Sequence, residues 1–162
     1  MSQIFSHIFT PWRLKWYPRF LVAAWAVGVL FSILTTDGVS TLTGRLGADF
    51  PAFYGAARIV AEGDGRNLYD SERQMAAQRN LFPADEKGFM PFPYPPFVAL
   101  AYVPLGHLGY RLSYAVHTAF MAGVLLLALW VMRPMSRIVN DQFFLTFAIV
   151  MLYYPVMRTI LG

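Results

Sequence analysis

The chain has no cysteine, so neither a disulfide framework nor a thiolate metal site is available to it. It is also poor in charge. Charged residues make up 14% of the sequence, against about a quarter in soluble domains, while hydrophobic residues make up 57%. Acids are scarcest outside one stretch: of nine, only Asp141 lies beyond residues 37–91. No glycine-rich phosphate loop, His-Glu-x-x-His pair, Cys/His cluster or Gly-x-Ser-x-Gly elbow occurs. Those absences argue against soluble nucleotide chemistry and zinc hydrolysis. The net charge is +4, yet Arg13, Lys15, Arg19, Arg133 and Arg137 flank apolar segments, where basic residues set membrane orientation. With no basic face carrying interleaved aromatics, nucleic acid is not an expected partner.

What the chain has in quantity is long apolar runs. Residues 1–19 form a basic, aromatic leader, in which Trp12, Trp16 and Tyr17 suit a membrane interface. Phe20–Thr36 is uncharged and, at 17 residues, near the minimum for a spanning helix. The basic residues ahead of it predict a cytoplasmic N-terminus and an extracytoplasmic loop over 37–91. A cleaved signal peptide is the competing reading; the length of the leader and the later apolar runs count against it. Residues 95–108 are apolar but short, either a thin span or a re-entrant helix. Leu112–Met132 has 21 residues without a charge and is the clearest membrane helix. Residues 143–157 form a last apolar run, interrupted by Pro155 and closed by Arg158. If 95–108 spans, Arg133 and Arg137 fall outside; if it is re-entrant they fall inside, as the charge bias favours. The expected fold is an all-α, multi-pass protein of the cell membrane. It has three to four membrane helices and short amphipathic helices in the outer loop.

The loop itself is patterned. Asp49 followed by Pro51 marks a helix start, and residues 50–62 make a short helix that ends at Gly63-Asp64-Gly65. Tyr54, Arg58 and Glu62 fall on one stripe at i, i+4 spacing. Ser71–Asn80 is a second helix, capped by Ser71 or by Asp70. Four prolines in Phe89–Phe97 forbid a regular helix before Pro95, where the next one starts.

Asp49 admits two readings. A carboxylate shielded by lipid and aromatics can take a proton from a substrate hydroxyl as general base; an aspartate before a helix can equally be a cap. Arg58 suits a phosphate, or pairs with Glu62 four residues on. Tyr94, in Tyr94-Pro95-Pro96-Phe97, lines a groove for a lipid-linked substrate or belongs to a rigid lead-in to the next helix. His107, His117 and Arg158 are weaker candidates. His117 lies within the clearest membrane helix, where a neutral histidine bonded to a neighbouring helix competes with a functional one.

In order, the chain presents Ala48-Asp49-Phe50-x-x-Phe53-Tyr54-x-Ala56-Ala57-Arg58, then Gly65-x-x-Leu68-Tyr69-Asp70, then Phe92-Pro93-Tyr94-Pro95-Pro96-Phe97. This order resembles glycosyltransferase family 87, the bacterial polyprenol-phosphate-mannose-dependent mannosyltransferases of the type C fold. The resemblance implies a partial type C fold and an active site on the extracytoplasmic face. It implies inverting transfer of a sugar, mannose by analogy, from a polyprenyl-phosphate donor to a hydroxyl on a lipid or glycan acceptor. Asp49 matches the general base, and Tyr54 and Arg58 match positions beside the donor's sugar or phosphate; Tyr94 and Arg158 complete the expected substrate-binding set. No cofactor is implied, and a divalent metal is left open. Family members are longer and carry further membrane helices, so the resemblance makes this chain the counterpart of their N-terminal part. The competing expectation is a non-enzymatic membrane subunit or transporter piece whose outer loop binds a partner.

Overall fold

The computed structural model describes residues 10–35, 40–41, 44–45, 47, 49–81 and 89–161, with the backbone alone at 40–41, 44–45, 80 and 158–161. Asp37, Asp85 and Glu86 of the acid-rich loop lie outside the described residues. Helix α1 runs Pro11–Thr35 and is followed by a minimal antiparallel hairpin, β1 (Ser40–Thr41) and β2 (Gly44–Arg45), in which Ser40 faces Arg45. Then come α2 (Phe50–Ala61), α3 (Ser71–Gln78), α4 (Pro96–Gly106) and α5 (Tyr110–Met132). Three shorter helices, α6 (Arg137–Asp141), α7 (Phe143–Leu152) and α8 (Tyr154–Leu161), complete the described chain. Apart from the hairpin, its regular structure is helical.

Among the described residues two helices are long and apolar enough to cross a membrane, α1 and α5. At 25 residues α1 is about 37 Å long, against roughly 30 Å of hydrocarbon. It starts nine residues before the uncharged run because Pro11 suits the first helical position and the basic-aromatic segment continues the helix to the membrane interface. Apolar side chains stay exposed on both: Val27, Leu30, Phe31 and Leu34 on α1, Phe120, Leu127 and Trp130 on α5. Helices so apolar, and so little covered by their own chain, have the composition of membrane spans.

The other apolar runs are shorter. Helix α4 has 11 residues, about 16 Å. The run expected over 143–157 is not one helix. It breaks at Tyr153, which is extended, because Pro155 offers no amide to the Met151 carbonyl and its ring would crowd that group. Pro155 instead falls in the first turn of α8, where a missing amide costs nothing. Neither α7 nor α8 has the length to cross a bilayer.

Contacts divide the chain into two compact units: one of residues up to Phe31 together with Phe120–Ile160, the other built on Ser32–Ala119. The first has a core of Leu129, Val139, Phe147 and Met151, with Val22 and Trp25 of α1 packed against it. In the second, Ala52 and Ala56 of α2 pack with Leu68, Phe92 and Ala99. Helices α2 and α4 approach so closely that a Cβ on Gly106 would sit 3.0 Å from the Ala57 backbone. Small residues at the crossing permit that contact, as between helices in membranes.

Candidate functional site

Helix α2 is the spine of the acid-rich unit. It starts at Phe50 with Pro51 in its first turn, as the Asp-Pro spacing predicts. Asp49 takes the N-cap position, but its carboxylate does not bond the first-turn amides. The backbone explains this. With φ −91° and ψ −8° Asp49 is already helical, whereas a capping side chain needs an extended backbone to swing over those amides. A turn does the work instead: the Phe50 amide donates to the Gly47 carbonyl and the Ala52 amide to the Asp49 carbonyl, at 3.0 Å for the second. Gly47 is buried at φ +90°, and a Cβ there would lie 2.8 Å from the Tyr110 hydroxyl. Glycine is required on both counts.

The next helix does have a side-chain cap. Asp70, extended at ψ 124°, accepts from the Arg73 amide at 2.7 Å, so Asp70 rather than Ser71 caps α3.

Tyr54 and Arg58 come together. They line a cavity of about 360 Å³ with Glu62, Gly106 and His107. The buried Tyr54 ring donates its hydroxyl to the Leu108 carbonyl at 2.7 Å, tying α2 to the end of α4. Arg58 pairs with Glu62 at 3.1 Å. Glu62 also bonds Arg73, which donates to Asp64 at 2.6 Å, and Asn67 donates to Asp64 at 2.8 Å. The Arg73 hydrogen bonds hold both Glu62 and Asp64 below the usual carboxylate range. The ion pair between Arg58 and Glu62, one of the two readings of that spacing, is therefore present.

Asp49 does not line this cavity. Nine residues separate it from Arg58, about 13 Å of rise and roughly half a turn of azimuth, so the two point to opposite sides of α2. Tyr94 belongs to a third cluster. It stacks on Phe53 with centroids 4.9 Å apart, and its carbonyl accepts from the Tyr69 hydroxyl at 2.8 Å. Arg158 is in α8, and its side chain lies outside the described residues.

Two residues carry more of this unit than their sequence suggests. Gln74 and Gln78, on one face of α3, are almost wholly buried. Gln74 accepts from the Phe92 amide at 3.0 Å and donates to the Leu68 carbonyl at 2.8 Å. Gln78 both accepts from the Met90 amide and donates to the Met90 carbonyl, at 2.9 and 2.8 Å. Prolines leave segment 89–96 without helix or sheet partners, and these side-chain amides supply them. The signal was an i, i+4 glutamine pair just before a proline-rich stretch.

Aromatic rings close the unit. Phe50 is fully buried among Tyr54, Tyr102, Tyr110, Tyr114 and His117, with its closest ring centroid, that of His117, at 4.9 Å. His117 meets the Tyr102 hydroxyl through Nδ1 at 3.2 Å, a bond to a neighbouring helix.

No family model, no curated protein and no solved structure matches this chain. Its site is therefore read from its own geometry. The three segments that carry the resemblance, far apart in sequence, converge: Phe53 lies against Phe92 and Tyr94, Leu68 shares a core with Ala52, Ala56 and Phe92, and Tyr69 bonds Tyr94.

Proposed function

We propose that the chain belongs to an integral-membrane sugar transferase that moves a sugar, mannose by analogy, from a polyprenyl-phosphate donor to an acceptor hydroxyl. The convergence of residues 49–58, 65–70 and 92–97 in one unit carries this reading. In the reaction the Asp49 carboxylate takes the proton of the acceptor hydroxyl as its oxygen attacks the anomeric carbon. The bond from that carbon to the phosphate oxygen breaks, the phosphate leaves with the electron pair, and the configuration inverts.

The geometry favours Asp49 more than Arg58. A guanidinium on the opposite side of α2, already paired with Glu62, is poorly aimed at the phosphate leaving from an acceptor held by Asp49. The Tyr54–Arg58 cavity is better suited to a remote part of a substrate than to the breaking bond.

The orientation in the membrane follows the same reading. Lys15 and Arg19 near the start of α1 share a cavity with Arg133, just beyond the end of α5. The start of α1 and the end of α5 thus lie on one side, which carries more basic residues than the opposite end of α5, where Arg111 stands, and is the cytoplasmic side by the positive-inside rule. The chain between them must return to the side it left, so the 16-Å helix α4 is re-entrant.

The test is transfer from radiolabelled polyprenyl-phosphate mannose in membranes expressing the complete gene. Asp49→Asn lowers the rate by about two orders of magnitude or more while the protein accumulates at its normal level. An unchanged rate rejects the assignment and returns the loop to a non-enzymatic, partner-binding role.

A further inference from the structure

The unit of residues up to 31 and 120–160 holds a cavity that the transfer reaction does not use. It has a volume of about 530 Å³ and lies beside the start of α1 and the residues following α5. Lys15, Arg19 and Arg133 line it, with one acid, Asp141. Asp141 accepts from Asn140 at 3.1 Å, and among the described residues none of the three cations has an ion-pair partner. The local charge is therefore net positive. The Arg133 guanidinium lies 4.1 Å over the Phe143 ring and that of Arg19 lies 4.4 Å over the Phe144 ring. Stacking occupies the faces of the guanidinium planes and leaves their edges to donate; Arg19 Nη1 already donates to the Lys15 carbonyl, so its remaining N–H groups and the Arg133 edge are what a ligand would meet. The Arg133 Nε is buried and has no hydrogen-bond partner, an arrangement that costs energy unless an acceptor arrives.

A second feature joins the first. An apolar groove of about 770 Å³ runs along α1 and α7, past Tyr17, Leu21, Ala24, Ala148 and Leu152. Leu14 and Leu145 line both groove and cavity, so the two adjoin. A basic cavity opening onto an apolar channel matches one chemical class, an amphiphile with an anionic head.

We propose that this unit binds an anionic phospholipid, its phosphate held by Lys15, Arg19 and Arg133 and an acyl chain laid along the α1–α7 groove. Basic recesses beside membrane helices hold lipid phosphates in this manner. The site is independent of the transfer reaction and uses none of its residues.

Native mass spectrometry of the full protein in detergent, titrated with dioleoyl phosphatidylglycerol, reads the site directly. At about fivefold per basic residue near an anionic headgroup, the double variant Arg19→Gln/Arg133→Gln binds that lipid roughly 25-fold more weakly. Arg137→Gln, a neighbouring cation that does not line the cavity, leaves binding unchanged. Leu145→Trp, which narrows the groove without altering charge, also weakens it. Phosphatidylcholine and inorganic phosphate bind the wild type less tightly, the first for want of net charge and the second for want of a chain. Equal loss in Arg137→Gln would reduce the effect to general charge attraction and overturn the proposal. Binding of inorganic phosphate as tight as that of the lipid would overturn it too, as would retention in the double variant. If the double variant does not fold by circular dichroism, Arg133→Lys, which keeps the charge but removes the fork, carries the same test with a smaller loss.

Discussion

The two units of this chain are held together by different means. The unit of residues 32–119 adds polar bonds to its apolar and aromatic core: a buried glutamine pair, tyrosine hydroxyls on carbonyls and an acid–arginine network. The unit of residues up to 31 and 120–160 is fastened by apolar side chains, with its cations gathered at one end. Charge is divided the same way, since every acid except Asp141 falls within 32–119. The difference teaches where each unit can carry chemistry. A buried backbone amide or carbonyl without a partner is costly wherever the unit sits. A unit with an irregular, proline-rich segment must therefore satisfy its own polar groups, and its side chains end up precisely placed by doing so.

The sharpest way to break that comparison is at Gly47. An alanine there must adopt φ +90° and place its Cβ 2.8 Å from the Tyr110 hydroxyl. Together these cost on the order of 3 kcal/mol. Gly28 on α1 has nothing within 4 Å of the corresponding position, so Gly28→Ala is silent or slightly stabilising, as expected in an exposed helix interior. Melting both variants in detergent decides the point. Equal midpoints would mean that the 47–50 turn is not a fixed part of the unit.

The next effect is that of Gln78→Leu. The substitution fits the volume but strips both partners from the Met90 backbone, leaving a donor and an acceptor unsatisfied. A loss of about 1–3 kcal/mol follows. Hydrogen exchange locates it: the Met90 and Phe92 amides lose protection while those of α5 near Leu129 keep theirs. Uniform loss across both units would show that they unfold as one.

These features were unequally legible in the sequence. Helix starts were readable because their markers are local: Asp49 with Pro51, Asp70 with Ser71, Pro95 with Pro96. The absence of a side-chain cap at Asp49 was not, since capping depends on the ψ angle of the residue and not on its identity. Gln74 and Gln78 are polar residues on a short loop helix, and only the proline-rich segment opposite them explains their burial. The separation of Asp49 from Arg58 was available in principle, because nine residues on a helix amount to half a turn. A motif written as a line of letters hides that phase. The break at Tyr153 was legible in Pro155, yet the uniform hydropathy of 143–157 concealed it.

The smallest effect concerns the acid network and separates charge from packing in the polar unit. Hydrogen bonds from Arg73 lower the pKa values of Glu62 and Asp64 from their ordinary 4.5 and 3.8. A depressed carboxylate contributes stability that is fully present above its unfolded pKa and lost as pH falls through the folded one. The network therefore acts at neutral pH and fades below about pH 4. Its groups are largely exposed, so solvent and salt screen it and its worth is small. Arg73→Gln should lower the melting temperature slightly at about pH 7. The gap between variant and wild type should close at about pH 3 and narrow in high salt. The Gln78→Leu gap, which involves no titrating group, should persist under both conditions. If the Arg73→Gln gap also persisted in acid, Arg73 would be acting through its aliphatic stem, and the unit would owe its stability to hydrogen bonds and packing without a charge contribution.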